Sequence, residues 1–157
     1  MTSSPRRSAL PTLRLTVLAV TTALVLLLGA LWLAGFRLAG VDTVWILLPV
    51  ILGAADLVLL PAVGTTVRPL PYGVDADAAT RISVRVLRTI TYLRLGLAAA
   101  PALFGLVASA ISDSLLPTVI GTAFAVPYLL GLTYPRPALV DGVRHRLESG
   151  GVVSHLG

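Results

Sequence analysis

The sequence contains no cysteine and no lysine, and it is poor in charge of either sign. Only 12% of its 157 residues are charged, about half of the share found in soluble domains. Without cysteine, disulfides, thiolate metal sites and cysteine nucleophiles are excluded. Without lysine, Schiff-base chemistry and the lysine of a phosphate-binding loop are excluded too. These absences leave few groups that could carry catalysis.

Apolar residues are abundant instead and make up 56% of the chain. They are grouped in four blocks of about 20 residues, the length that a helix needs to cross a bilayer. We therefore predict an all-α fold: a four-helix transmembrane bundle that forms a single integral membrane domain over residues 1–157. The predicted spans are residues 13–36, 44–60, 90–111 and 115–134, followed by a short tail at 135–157.

The first apolar block also invites comparison with a secretory signal peptide. Arg6 and Arg7 precede it, and the segment 38–40 resembles a cleavage site. The apolar core of a signal peptide is only about 7–15 residues long, however, which is much shorter than this block. A retained first span is therefore favoured, and residues 1–11 are expected to be a disordered basic leader.

The distribution of arginine predicts the topology. Because basic residues are retained on the cytoplasmic side of a membrane, both termini and the middle loop are predicted to be cytoplasmic, which gives an up-down-up-down bundle. Arginine without lysine, in a chain rich in alanine, leucine, valine and glycine, is typical of a GC-rich bacterium. We therefore expect a multi-pass protein of the bacterial cytoplasmic (inner) membrane. The arginines are Arg6, Arg7 and Arg14 before the first span, Arg68, Arg81, Arg85 and Arg88 before the third, and Arg136, Arg144 and Arg146 in the tail, with only Arg37 in the two short turns.

The third span has an arginine-bearing lead-in that is predicted to extend its helix into the cytoplasm. Arg81, Arg85 and Arg88 are four and three residues apart and therefore share one helix face. That face is expected to contact lipid headgroups, including those of anionic lipids, or a partner protein. Asp75 or Asp77 is expected to cap the start of this helix.

Asp56 and Arg94 are the two charges predicted to lie well within the hydrocarbon. Counted from Pro61 and from Ile90, both lie at similar depths near the cytoplasmic boundary, at about 1.5 Å per residue. Intramembrane charges pair with one another or mark functional sites. We expect an ion pair between Asp56 and Arg94 that joins the second and third spans, as a structural clamp. The alternatives are that Arg94 extends to the headgroups without pairing, or that the pair forms part of a transport pathway.

Small residues recur at four-residue spacing in the third and fourth spans. Such spacing lets helix backbones approach closely in lipid. We favour packing inside the bundle over a separate dimer face. The pairs are Gly96/Ala100, Ala98/Ala102, Gly105/Ser109 and Gly121/Ala125.

No residue pattern in the sequence indicates a cofactor or metal site. His145 and His155 are the only histidines and lie in the tail, where two histidines without cysteine or a fixed carboxylate make a poor zinc site. Nucleophile elbows, glycine-rich phosphate loops and HExxH motifs are absent. The arginines flank apolar spans and are not interleaved with aromatic residues, so nucleic acid is not an expected partner.

The stretch RLGLAAAPALFG at residues 94–105 resembles a segment of small, uncharacterised bacterial integral membrane proteins with four predicted spans. Arg94, Pro101 and Gly105 match that segment, whereas Ala99 stands where the family often has an acid. The tail YPRPALVDGVRHRLESGG at 134–151 is similar to the closing segment of the family. The resemblance covers the second half of the chain and implies a four-span fold but no activity. A small multidrug-resistance exporter is disfavoured, because the first span here contains no acid.

We therefore expect a non-enzymatic scaffold or accessory subunit of the membrane, without a cofactor. Its expected partners are the lipid bilayer, a second copy of the chain or another membrane protein. The alternative is a small oligomeric transporter or channel that uses Asp56 and Arg94.

Overall fold

A computed structural model describes residues 6–38, 40–63 and 75–134, together with 141, 142 and 145. The all-α prediction is confirmed for these residues, which form four helices that are each long and apolar enough to cross a membrane, the fourth only together with the π-helical turn that continues it. The helices are α1 (Arg6–Leu33), α2 (Thr43–Ala62), α3 (Ala76–Ser112) and α4 (Leu116–Tyr128), and a π-helical turn, Leu129–Thr133, continues α4.

The first helix begins earlier than the sequence suggested. It starts at Arg6, inside the segment expected to be disordered, and it contains Pro11. A proline removes one helical hydrogen bond. Near the start of a 28-residue helix that loss is small compared with the apolar packing that follows, since Leu13 lies in one cluster with residues of α3 and Leu10 packs against that cluster.

The third helix runs unbroken for 37 residues, Pro101 included. Its length is about 55 Å at 1.5 Å per residue, well beyond the roughly 30 Å of a hydrocarbon core. Asp75 caps its start by accepting a hydrogen bond from the Ala78 backbone N–H, which was one of the two caps predicted. At the other end, Asp113 adopts a left-handed conformation with φ 52° and ends the helix.

Three of the helices form the centre of the bundle. The most extensive contact is between α3 and α4, followed by that between α2 and α3, whereas α1 contacts its neighbours less. The buried side chains form two clusters. Leu13, Ala79, Leu87 and Ile90 make up the first, and Val17, Leu60, Ala98 and Leu129 make up the second.

The two short connections meet each other. The Leu115 backbone N–H, at the start of α4, donates to the Arg37 carbonyl, which follows α1, at 2.9 Å. The end of α1 is therefore tied to the turn between α3 and α4. Gly35 precedes this contact with φ 94°, a left-handed conformation that favours glycine.

Candidate functional site

Arg94 lies where α2, α3 and the end of α4 come together. Its Nε and Nη2 atoms both donate to the Val63 carbonyl, at 3.2 and 2.7 Å. Its Nη1 atom donates to the Leu132 carbonyl at 3.1 Å. One side chain of α3 therefore joins the ends of two other helices.

The acceptors of these bonds explain why an arginine suits this position. Val63 follows directly after α2, and Leu132 lies in the π-helical turn that ends the fourth span. The last carbonyls of a helix lack partners within the helix and carry its partial negative charge. The planar guanidinium has five donors, so it can serve carbonyls from two helices at once. Arg94 is thus a shared cap for α2 and the fourth span.

Asp56 is buried on the inner face of α2, with 3% of its surface exposed. It shares this face with Pro49, Gly53 and Leu60. Its Oδ2 atom is buried and has no hydrogen-bond partner among the described residues. An unpartnered buried oxygen is costly, because it has lost water without gaining a donor.

The ion pair expected between Asp56 and Arg94 is not formed in the described part of the structure. Arg94 binds Val63 at the end of α2, and Ala98, one turn further along α3, lies in one cluster with Leu60, so α2 and α3 run in opposite directions past each other. Helical side chains tilt toward the N-terminus of their own helix. The side chain of Arg94 therefore leans toward Val63, away from Asp56, which is seven residues or about 10 Å deeper along α2. Asp56 and Arg94 therefore lie at different depths along the bundle, contrary to the similar depths expected from the sequence.

Three buried hydroxyl groups have hydrogen-bond partners, unlike the Oδ2 atom of Asp56. Thr21, Ser83 and Thr91 each donate to the carbonyl four residues earlier in their own helix. This local bond satisfies a hydroxyl without a partner helix. Apart from Asp56, the described side chain with an unpartnered buried oxygen is Thr133, through its Oγ1 atom.

Two polar contacts join helices across the bundle. The Ser109 hydroxyl oxygen accepts from the Thr118 backbone N–H at 3.1 Å and from the Thr118 hydroxyl at 2.7 Å. It thereby serves a free N–H in the first turn of α4. The Tyr128 hydroxyl donates to the Gly53 carbonyl at 2.9 Å and connects α4 to α2.

Two glycines set the close contact between α3 and α4. A Cβ atom on Gly105 would lie 2.4 Å from the Pro117 carbonyl oxygen, and one on Gly121 would lie 2.1 Å from the Pro101 carbonyl oxygen. Each helix therefore places a glycine against the carbonyl of a proline in the other helix. Both glycines follow their own proline by four residues. The small-residue spacing pointed to this region, but the matching Pro-x-x-x-Gly segments were not recognised from the sequence.

The other small residues expected to pack divide into two groups. Ala98, Ala102 and Ala125 are buried, as close helix packing requires. Gly96 faces open space, and a Cβ atom added there would meet no other atom within 4 Å. The packing prediction therefore applies to part of the small-residue pattern.

The basic residues of α3 and α1 differ in their surroundings. Arg81, Arg85 and Arg88 are all exposed, on the side of α3 opposite the buried Ser83 and Leu87. Arg14 lies with its guanidinium carbon 5.8 Å from the centre of the Tyr134 ring, within cation–π range.

The remaining predicted features lie partly outside the described residues. Arg68, His155 and the side chain of Asp77 are outside them, and so is most of the tail at 135–157. Within the described part, no three histidine, cysteine, aspartate or glutamate side chains come together as metal ligands would. Comparison of the chain with family models, curated proteins and solved structures gives no match.

Proposed function

We propose that this chain is a small multi-pass protein of the bacterial cytoplasmic membrane that acts, without enzymatic activity, as a scaffold or accessory subunit. The observation that carries this proposal is the set of hydrogen bonds made by Arg94. The charge that a transport pathway could have used is instead bound to the backbone ends of two neighbouring helices. Such bonds support a rigid bundle in which the arginine is structural.

The contacts at the two ends of the bundle support an up-down-up-down arrangement. At one end, the connection after α1 meets the start of α4 through the Arg37 carbonyl. At the other end, Arg94 joins Val63 to Leu132, and Leu13 packs against the first turns of α3. The exposed Arg81, Arg85 and Arg88 lie at this second end, which we assign to the cytoplasm on the positive-inside rule.

The length of α3 supports a cytoplasmic extension of the third span. Arg88 and Thr89 are exposed polar residues, and from Tyr92 and Leu93 onward the exposed large side chains of α3 are apolar. A boundary near Tyr92 leaves about 20 residues to Ile111, the length of one span. The segment from Ala76 to Thr89 then projects from the membrane, packed on α1 through Ala79 and Leu87.

The surface of α1 supports a role in contacting other molecules in the membrane. The apolar stretch of α1 is the least buried of the four spans. Val25, Leu26, Trp32 and Leu33 are all exposed, and lipid or another membrane helix is the expected neighbour of such a surface. The second half of α1 is therefore where we expect a subunit partner to bind.

A second candidate function, a small oligomeric transporter or channel, is favoured by one observation. Asp56 is buried in the bundle and its Oδ2 atom lacks a hydrogen-bond partner among the described residues. Buried intramembrane carboxyl groups are the usual ion or proton sites of transporters. Unlike the scaffold, this function requires Asp56 to exchange a proton or an ion with water.

Flux measurements on reconstituted protein separate the two functions. The scaffold predicts that vesicles containing the wild-type chain leak protons, sodium or potassium no faster than empty vesicles, and that Asp56→Asn changes nothing. Thr122→Val, which changes another buried polar side chain, is the matched control. A wild-type flux that Asp56→Asn abolishes and Thr122→Val preserves would replace the scaffold by the transporter.

A further inference from the structure

We propose that the outer side of α3 carries a binding site for the headgroup of an anionic phospholipid, formed by Arg85 and Arg88. This inference rests on the orientation given under the proposed function and adds a specific ligand to it. It follows from the order, the exposure and the heights of the residues along one side of the helix.

Four residues form the upper part of this side. Arg81, Arg85, Arg88 and Tyr92 follow one another at spacings of four, three and four residues, so they form a stripe along the helix axis. All four are exposed, whereas Ser83, Leu87 and Ile90 on the opposite side are buried in the bundle. The packing of α3 therefore fixes the arginines on the side that faces away from the protein.

The same side continues into the membrane as an apolar surface. Below Tyr92, on this side and beside it, Leu93, Gly96 and Leu103 are exposed, with the buried Ala99 between Gly96 and Leu103. An order of basic, aromatic and aliphatic residues is typical of a helix side that passes from lipid headgroups through the interface into the acyl chains. The tails of a phospholipid in this leaflet extend about 15 Å below the boundary at Tyr92, so they would lie against Leu93 and Gly96 and end near Leu103, with the headgroup at the level of the arginines.

The three arginines lie at different heights above the membrane boundary, and two of them can reach the headgroup layer. At 1.5 Å per residue, the Cα atoms of Arg88, Arg85 and Arg81 lie about 6, 10 and 16 Å beyond that of Tyr92. The headgroup layer of one leaflet is only about 5–8 Å thick. Arg88 lies within it, Arg85 can reach it by bending its flexible side chain back, and Arg81 lies beyond it.

The charge of this surface favours a lipid over a second copy of the chain. Two parallel copies in contact through this side would bring arginine opposite arginine, and like charges repel. An anionic phosphate is complementary in charge, and arginine binds it through two parallel hydrogen bonds. The inner leaflet supplies such phosphates at the height of Arg88 and Arg85.

The test is a titration of the purified full-length protein with phosphatidylglycerol and, separately, phosphatidylcholine, with bound lipid counted by native mass spectrometry. We expect tighter binding of phosphatidylglycerol. One basic residue near an anionic surface is equivalent to about a fivefold change in affinity, so Arg85→Gln and Arg88→Gln should each weaken phosphatidylglycerol binding by about that factor, and the double variant by about 25-fold.

Two other arginines serve as matched controls. Arg81→Gln removes the same charge from the same stripe but above the headgroups, and Arg37→Gln removes an exposed arginine at the opposite end of the bundle. Both should change the affinity less than twofold. Arg88→Lys should retain most of the binding, which shows that the loss in Arg88→Gln does not come from misfolding. Free glycerol phosphate should compete poorly, since it lacks the tails that lie against Leu93 and Gly96.

Three results would overturn the inference. They are equal binding of the two lipids, an effect of Arg81→Gln or Arg37→Gln as large as that of Arg88→Gln, and self-association of the chain that Arg88→Gln alters without any change in lipid binding. None of these results affects the proposed scaffold or its orientation. A reversed orientation in the membrane would be detected by cysteine labelling in intact cells, and that result does not depend on the lipid titration.

Discussion

At the scale of single residues, the two charged side chains inside the bundle differ in their hydrogen-bond partners. Arg94 is bound by carbonyls from two helix ends, whereas Asp56 has an oxygen without a partner in the described part of the chain. Their positions within apolar helices could be predicted from the sequence. Their partners could not, because a helix-end carbonyl is a backbone group that every residue carries, and no sequence pattern marks which one will be free.

Replacing Arg94 should destabilise the bundle. Arg94→Gln keeps part of the side chain but cannot span the distance between the Val63 and Leu132 carbonyls, and hydrogen bonds from a charged donor are each worth about 1.5–3 kcal/mol. We expect the free energy of unfolding in mixed micelles to fall by about 2 kcal/mol. Arg88→Gln, an exposed change on the same helix, should lower it by less than about 0.5 kcal/mol. Equal losses in the two variants would contradict the shared cap.

Replacing Asp56 should stabilise the bundle or leave its stability unchanged. Removing an unpartnered buried polar group and filling its place with apolar atoms is neutral or stabilising by about 1–3 kcal/mol. Asp56→Leu is therefore expected to raise the denaturant concentration at which half of the protein is unfolded, and Asp56→Asn to leave it nearly unchanged. If Asp56→Leu instead loses more than about 1 kcal/mol, the carboxyl group has a stabilising partner outside the described residues.

At the scale of the helices, α3 and α4 are joined by their backbones. Gly105 and Gly121 each lie against the carbonyl of a proline in the other helix, and Ser109 binds the first turn of α4. In lipid there is little hydrophobic force between helices, so close approach and hydrogen bonds provide the attraction. Pro101 and Pro117 supply the carbonyls at this contact.

Adding one methyl group at this contact should loosen it. Gly105→Ala and Gly121→Ala each place a Cβ atom against a rigid backbone, and overpacking of this kind costs about 1–3 kcal/mol. Gly96→Ala is the matched control in α3, because open space surrounds that position, and its better helix propensity should make the change neutral or slightly stabilising. Unfolding in mixed micelles measures all three. Similar effects at Gly96 and Gly105 would show that helix propensity and not contact decides the result.

The extent of the helices could be predicted better than their contacts. The apolar blocks at 44–60 and 90–111 fall within α2 and α3, because hydropathy and bilayer thickness alone determine them. The π-helical turn at Leu129–Thr133 and the early start of α1 were missed. Tertiary contacts accompany both: Arg94 binds the Leu132 carbonyl of the turn, and Leu10 packs against the cluster that Leu13 forms with residues of α3.

At the scale of the whole molecule, the bundle has two unlike ends. One end carries the exposed arginines of α3 and the Arg94 cap, and the other carries two short connections tied together at Arg37. We propose that the arginine-rich end faces the cytoplasm and contacts anionic headgroups, and that the exposed half of α1 contacts lipid or a partner subunit. Orientation in the membrane is the premise that these assignments share.

Single-cysteine labelling in intact cells tests that premise most directly, because the chain has no cysteine of its own. Leu38→Cys and Ile82→Cys both replace exposed side chains, at opposite ends of the bundle. With a membrane-impermeant maleimide, we expect Leu38→Cys to be labelled in intact cells, and Ile82→Cys only after the membrane has been permeabilised. Labelling of Ile82→Cys in intact cells, or equal labelling of both positions without permeabilisation, would contradict the account.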